Sequence, residues 1–153
     1  MDKSQLPRVF ESVIHMLSEA AELAPENTAL ICDGRRLNYL EYSRCVARFS
    51  EELSGLGASN SRVALICLNS IEIAISTLAG YAAGAQVVPI NPIYTTRELT
   101  YILKDADPAI VISDVEISST IAPLLSELEF SNAIYVGDGV RLLDQWRDDE
   151  SAA

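Results

Sequence analysis

The strongest constraint in this chain is a series of short apolar runs that do not alternate with polar residues. Val63 to Leu68 is the clearest; Gln86 to Ile90, Ala109 to Ser113 and Ala133 to Val136 follow it. A strand exposed on one face reads apolar-polar-apolar, so an unbroken run marks a strand covered on both faces, as in a parallel sheet. Between the runs lie segments with apolar residues at helical spacing. Strands alternating with helices give βαβ units and a mainly parallel, doubly wound sheet with helices on both faces.

The helices announce their starts. Asn38-x-x-Glu41 and Thr95-x-x-Glu98 are capping boxes, in which each side chain satisfies a backbone N–H near the helix start. After the first, Tyr42, Cys45, Val46, Phe49 and Leu53 form the inward face, and Gly55 or Gly57 ends the helix. After the second, Leu99, Ile102 and Leu103 point inward. Asn69-Ser70 caps a helix reaching about Ala83 that is apolar all round and therefore buried. Phe10, Val13, Ile14, Leu17 and Ala21 predict an amphipathic opening helix stopped before Pro25. Thr28 to Cys32, the turn Asp33-Gly34 and Arg35 to Leu37 predict a small hairpin. Ile117, Ile121, Leu124 and Leu128 predict a helix that Pro123 kinks or begins, and a short helix is expected around Trp146.

Composition excludes several classes. The net charge of −11 disfavours nucleic acid and anionic membranes, which need clustered Lys and Arg. Glu72 and Arg97 bracket an uncharged stretch long enough for the roughly 20 residues of a membrane helix. Pro89 and Pro92 break it, so no transmembrane segment is expected. Residues 1–7 lack the basic and apolar regions of a secretory signal, and the cytoplasm is the default location. Cys32, Cys45 and Cys67 lack CxxC spacing and read as buried thiols of a reducing compartment. The acidic run from Asp148 to Ala153 reads as a solvated tail after a single α/β domain spanning residues 1–147.

Catalytic signatures are missing. His15 has no second ligand at metal spacing and reads as a surface or boundary histidine. No GxSxG, HExxH or GxxxxGK[ST] pattern occurs, and Gly55-Leu56-Gly57 closes a helix instead of opening one, unlike a dinucleotide loop.

Taken in order, several segments resemble the N-terminal part of the adenylate-forming superfamily, most closely its acyl-CoA and aryl-CoA synthetases. They are Ala24 to Leu30, Leu37-Asn38-Tyr39-Leu40-Glu41-Tyr42, and the strand from Val63 that ends in Asn69-Ser70. The most specific is Ala82 to Pro92, with Gly84, Pro89, Asn91 and Pro92 matching the family's A-G-A-x-x-V-P-I-N-P segment. Thr96-Arg97-Glu98-Leu99 and Ile112-Ser113-Asp114 follow at the family's distances. Asn60-Ser61 and Asn38 depart from the usual Gly-Asp and Thr, as conservative turn and cap changes.

The resemblance implies a parent reaction in two halves. A carboxylate attacks the α-phosphate of Mg-ATP to give an acyl-adenylate, and the thiol of CoA then displaces AMP. The family's phosphate loop and catalytic lysine lie beyond these residues. The resemblance therefore implies no catalytic, metal or cofactor site in this chain alone, which is expected to be inactive. ATP, Mg and CoA belong to the parent enzyme. Its partners would be the remainder of the ligase, in cis or in trans, and a carboxylic acid. Arg97 is the one candidate for a CoA contact; Asn38, Tyr39, Glu41, Asn69, Ser70, Gly84, Pro89, Asn91, Pro92 and Glu98 are architectural. The alternatives are a peptide-synthetase adenylation fragment and a standalone, non-catalytic partner-binding module. A fragment is expected to self-associate through exposed apolar surface.

Overall fold

A computed structural model describes residues 8–152. The stretch read for a signal, residues 1–7, and the last residue of the acidic run, 153, lie outside the described residues. The chain opens with α1 (Val13–Leu23) and a hairpin of β1 (Thr28–Cys32) and β2 (Arg35–Asn38), paired antiparallel. It continues through α2 (Tyr39–Gly55), β3 (Arg62–Ile66), α3 (Ile71–Ala82), β4 (Gln86–Pro89), α4 (Thr96–Ala106), β5 (Ile110–Asp114), α5 (Ser118–Glu127) and β6 (Ala133–Val136). Strands β3 to β6 form one parallel sheet in the order β4-β3-β5-β6.

Alternate residues of the central strands feed two cores. Val63 and Leu65 of β3, with Ile110 and Ile112 of β5, meet α2 and α3 through Phe49, Leu53, Ile71 and Ile75. Ala64, Ile66 and Val111 point the opposite way, onto Leu99 and Leu103 of α4 and Ile121, Leu124 and Leu125 of α5. Every residue of β5 is buried, the pattern of a strand covered on both faces. Gly80 lets α3 approach the sheet: a Cβ there would sit 2.6 Å from Val87 Cγ2.

Both capping boxes are present. Asn38 and Thr95 accept from the Glu41 and Glu98 amides, and the two glutamates accept from the cap amides in return. Ser70 alone caps α3, accepting from Ile73 N–H. Gly84 follows α3 at φ +76°, and its carbonyl accepts from Asn60 N–H.

Several expectations need correction. Phe10 precedes α1, and Val13 faces solvent, so Leu17 is the helix's one buried residue. Pro123 neither starts α5 nor ends it. It is the sixth residue and lies on the exposed face, where water can reach the Ser119 carbonyl it leaves unpaired. The segment around Trp146 is a 3-10 turn, Leu143–Trp146. Cys45 and Cys67 are buried, whereas Cys32 at the hairpin tip is partly exposed. The acidic run is docked: Asp149 pairs with Arg48 at 2.9 Å and Ala152 is buried.

Candidate functional site

The strand order places a topological switch between β3 and β5. The helix after β3 packs on one face of the sheet and the helix after β5 on the other, so the two exits diverge. Such divergence opens a crevice beyond the carboxyl ends of the strands, the usual ligand position in open α/β sheets. Here it has a volume of about 450 Å³ and lies among Asp33, Arg35, Ser70, Asp114, Glu116 and Gly137.

Two interactions shape it. The Leu68 N–H donates to Asp114 Oδ2, tying the exit of β3 to the end of β5. Burial pushes the Asp114 carboxyl above its ordinary value, and the Leu68 bond only partly offsets this. On the hairpin side, the Arg35 guanidinium grips Glu72 of α3 at 2.7 and 3.0 Å. Its Nε donates to Asp144 at 3.0 Å, and Arg147 reaches the same carboxylate at 2.7 Å. Glu72 and Asp144 are each only 2% exposed. The two arginines balance the two carboxylates, and the Arg35 pKa is driven upward, chiefly by its hydrogen bonds to Glu72.

The walls are thus rich in carboxylates, and the crevice's arginine is already engaged. A triphosphate needs free cations, and Arg35, the one basic side chain among the described lining residues, is already paired with carboxylates, so the crevice is a poor fit for ATP. Among the described residues no group of three or more His, Cys, Asp or Glu could hold a metal ion. No described helix is long and apolar enough to cross a membrane.

Arg97 lies elsewhere, on the exposed first turn of α4. It lines a shallow groove of about 700 Å³ with Tyr94, Glu98, Tyr101 and Ile102, close to the exit of β4. Asn91 begins that exit, its Oδ1 accepting from Ile93 N–H at 3.0 Å. Pro92 follows it, and Ile93 and Tyr101 are 82% and 73% exposed. Asn38, Tyr39 and Glu41 sit at the start of α2, remote from this groove in the chain, while Asn69 and Ser70 line the crevice. His15 is on the exposed side of α1, where its Nδ1 meets Ser12 Oγ at 2.9 Å. Sequence reasoning missed Asp33, Arg35, Asp114 and Glu116 as lining residues. Their signal is positional: Asp33 lies in the hairpin turn, Arg35 opens β2, and Asp114 and Glu116 lie at and just past the carboxyl end of β5.

The family model for the AMP-binding enzyme matches residues 17–152. The chain belongs to the AMP-binding enzyme family. Among curated proteins, it is 30% identical over 133 residues to tyrocidine synthase 1 of Brevibacillus parabrevis, covering 86% of this chain and 12% of that protein. It is 29% identical over 130 residues to a medium/long-chain-fatty-acid–CoA/3-oxocholest-4-en-26-oate–CoA ligase of Mycolicibacterium smegmatis, covering 84% of this chain and 24% of the ligase. Among solved structures, a long-chain-fatty-acid-CoA ligase from Archaeoglobus fulgidus superposes with a TM-score of 0.81 at 25% identity, over 94% of this chain and 31% of that one. The chain spans less than a third of the length of each of these relatives.

Proposed function

We propose that this chain is the N-terminal α/β portion of an ATP-dependent, AMP-forming acid–thiol ligase that works in the cytoplasm and has no adenylating activity by itself. The observation that carries this reading is the mismatch between fold and site. A switch-point crevice is present, but its walls are carboxylates and its arginine is engaged, which supports the reading that the groups holding the ATP phosphates belong to the remainder of the enzyme. Three free cysteines are consistent with a reducing compartment.

In the complete enzyme this portion supplies architecture, and the remainder supplies phosphate binding and catalysis. The substrate is a carboxylic acid. Arg97 is assigned to a phosphate of CoA, because it is the base nearest the loop that leaves β4. Acid-dependent ATP–pyrophosphate exchange by the purified 153 residues, above a blank, would refute the reading. Arg97→Ala in a complete enzyme is expected to raise the apparent KM for CoA with little change in adenylation; an unchanged KM removes the assignment.

The likeness to tyrocidine synthase 1 supports a second reading, an adenylation domain of a peptide synthetase. A carrier-protein domain after the ligase region would select it.

A further inference from the structure

Past β6 the chain turns back sharply, with Gly137 and Arg141 exchanging backbone bonds of 2.6 and 2.9 Å. Residues 141–152 then run across α2 by way of the 3-10 turn Leu143–Trp146. Arg44, Arg48 and Glu52 are spaced four apart and so share one face of α2. Each of them holds this segment. Arg44 Nη1 donates to the Arg147 carbonyl at 3.3 Å, Arg48 Nε meets Asp149 at 2.9 Å, and Glu52 takes the Arg141 guanidinium in a two-bond pair of 2.7 and 2.5 Å.

The inner side of the same segment reaches the crevice. Leu142 lines it beside Arg35. Leu143 N–H donates to Glu72 Oε1 at 3.3 Å, and Asp144 accepts from Arg35 Nε. Of the two carboxylates that Arg35 grips, Glu72 belongs to α3 and Asp144 to this segment.

The segment is held differently from the sheet. Its apolar anchors are few: Leu143 and Ala152 are buried, and Trp146 stacks on Phe49 at 6.1 Å. The charged contacts toward its two ends, Arg141 with Glu52 and Asp149 with Arg48, have side chains 25–38% exposed, so dissolved salt reaches and screens them. A segment with few apolar contacts and exposed polar ones opens at a lower free energy than the whole chain.

We propose that residues 141–152 form an ion-clasped strap that opens as one unit while the parallel sheet stays folded, and that its closure keeps Arg35 committed to Asp144 at the crevice wall. Opening carries Leu142 and Asp144 away together and leaves Arg35 with Glu72 alone. The strap thus sets how much positive charge the crevice offers to an anion, and ionic strength sets the strap.

Hydrogen exchange of the 153-residue chain, followed by NMR in about 0.05 M and about 1 M NaCl and scaled to the unstructured rate in the same salt, tests this. The Leu143, Arg147 and Asp149 amides, all hydrogen-bonded within the closed strap, should share one protection at least about 10-fold below that of Val111 in β5. In the higher salt the three should fall together by roughly 5-fold. The Arg35 Nε proton, whose acceptor is Asp144, should fall by the same factor. Glu52→Gln removes the clasp at one end and should lower the protection of Asp149, at the other end, as much as that of Leu143, by roughly 2- to 5-fold. Strap amides protected as well as Val111 overturn the proposal, because the segment then opens only with the whole chain. A salt-independent protection, or a Glu52→Gln effect confined to Leu143, overturns it equally, because the ends are then not clasped as one unit. Strap amides that behave as expected beside an Arg35 Nε proton that keeps the protection of Val111 refute the link to the crevice.

Discussion

Gly80→Ala isolates one close contact between helix and sheet. Position 80 is inside α3, where alanine is favoured over glycine by about 1 kcal/mol on helix propensity alone. Against this stands the 2.6 Å between the new Cβ and Val87 Cγ2, roughly 1 Å inside a normal carbon–carbon contact. Valine is stiff at χ1 and cannot swing the methyl away freely. Overpacking of this kind costs about 1–3 kcal/mol, so the substitution should destabilise the chain by about 1 kcal/mol net. In a Val87→Ala background the obstructing methyl is gone, and the remaining Val87 Cβ lies 4.0 Å away, an ordinary contact. There Gly80→Ala should stabilise by about 1 kcal/mol, which gives a coupling of about 2 kcal/mol across the double-mutant cycle. Urea unfolding of the four proteins, followed by Trp146 fluorescence and by far-UV circular dichroism, measures it once the two probes coincide. A Gly80→Ala effect of the same sign and size in both backgrounds would refute the packing argument.

Three further outcomes are expected. Arg35→Ala leaves Glu72 and Asp144, both nearly inaccessible, without their shared guanidinium and should cost about 3–5 kcal/mol by urea unfolding; a loss under 1 kcal/mol would mean that Arg147 suffices. Asp114 holds its proton more tightly folded than unfolded, so its contribution is favourable below the ordinary value of 3.8 and is lost as pH rises through the folded value. Asp114→Asn, which retains an acceptor for Leu68, should therefore raise the urea midpoint at pH 7, with the gain vanishing as pH falls below 3.8; a pH-independent gain contradicts the burial argument. Burial pushes the Cys45 thiol up to about 12 and Cys67 higher still, so a thiol reagent at pH 8 should modify Cys32 first and the other two only as fast as the chain unfolds.

Much of the fold is legible in the sequence because its signals are local. The two capping boxes need only residues three apart, and the unalternated run from Val63 reports burial on both faces wherever its partners lie. The hairpin depends on Asp33-Gly34, whose φ angles are +49° and +77°. What escapes is non-local. Nothing near Arg35 in the chain signals that its partners are Glu72 and Asp144, since that grouping exists only after α3 and the 3-10 turn have packed. The tail misleads for the same reason: Asp148 to Glu150 reads as solvated until Arg48 on α2 is brought beside Asp149. Pro123 is judged by a rule for buried helix interiors, and an exposed helix face relaxes it. The candidate site was readable only in outline. Asn69 and Ser70 are conspicuous as a cap, whereas Asp114 and Glu116 matter because strand order places them at the divergence of two helices.

That same strand order bears on how the chain emerges during synthesis. Strand β3 finds β4 soon after translation, but its second neighbour, β5, follows only after α4 has been made and has crossed the sheet, with Val63 waiting for Ile110. A ribosome adds roughly 5–20 residues per second, so an apolar strand stays half-paired for seconds before its neighbour arrives. Slowing translation between β4 and β5 would lengthen that exposure, and chaperone dependence of the nascent chain should rise with it.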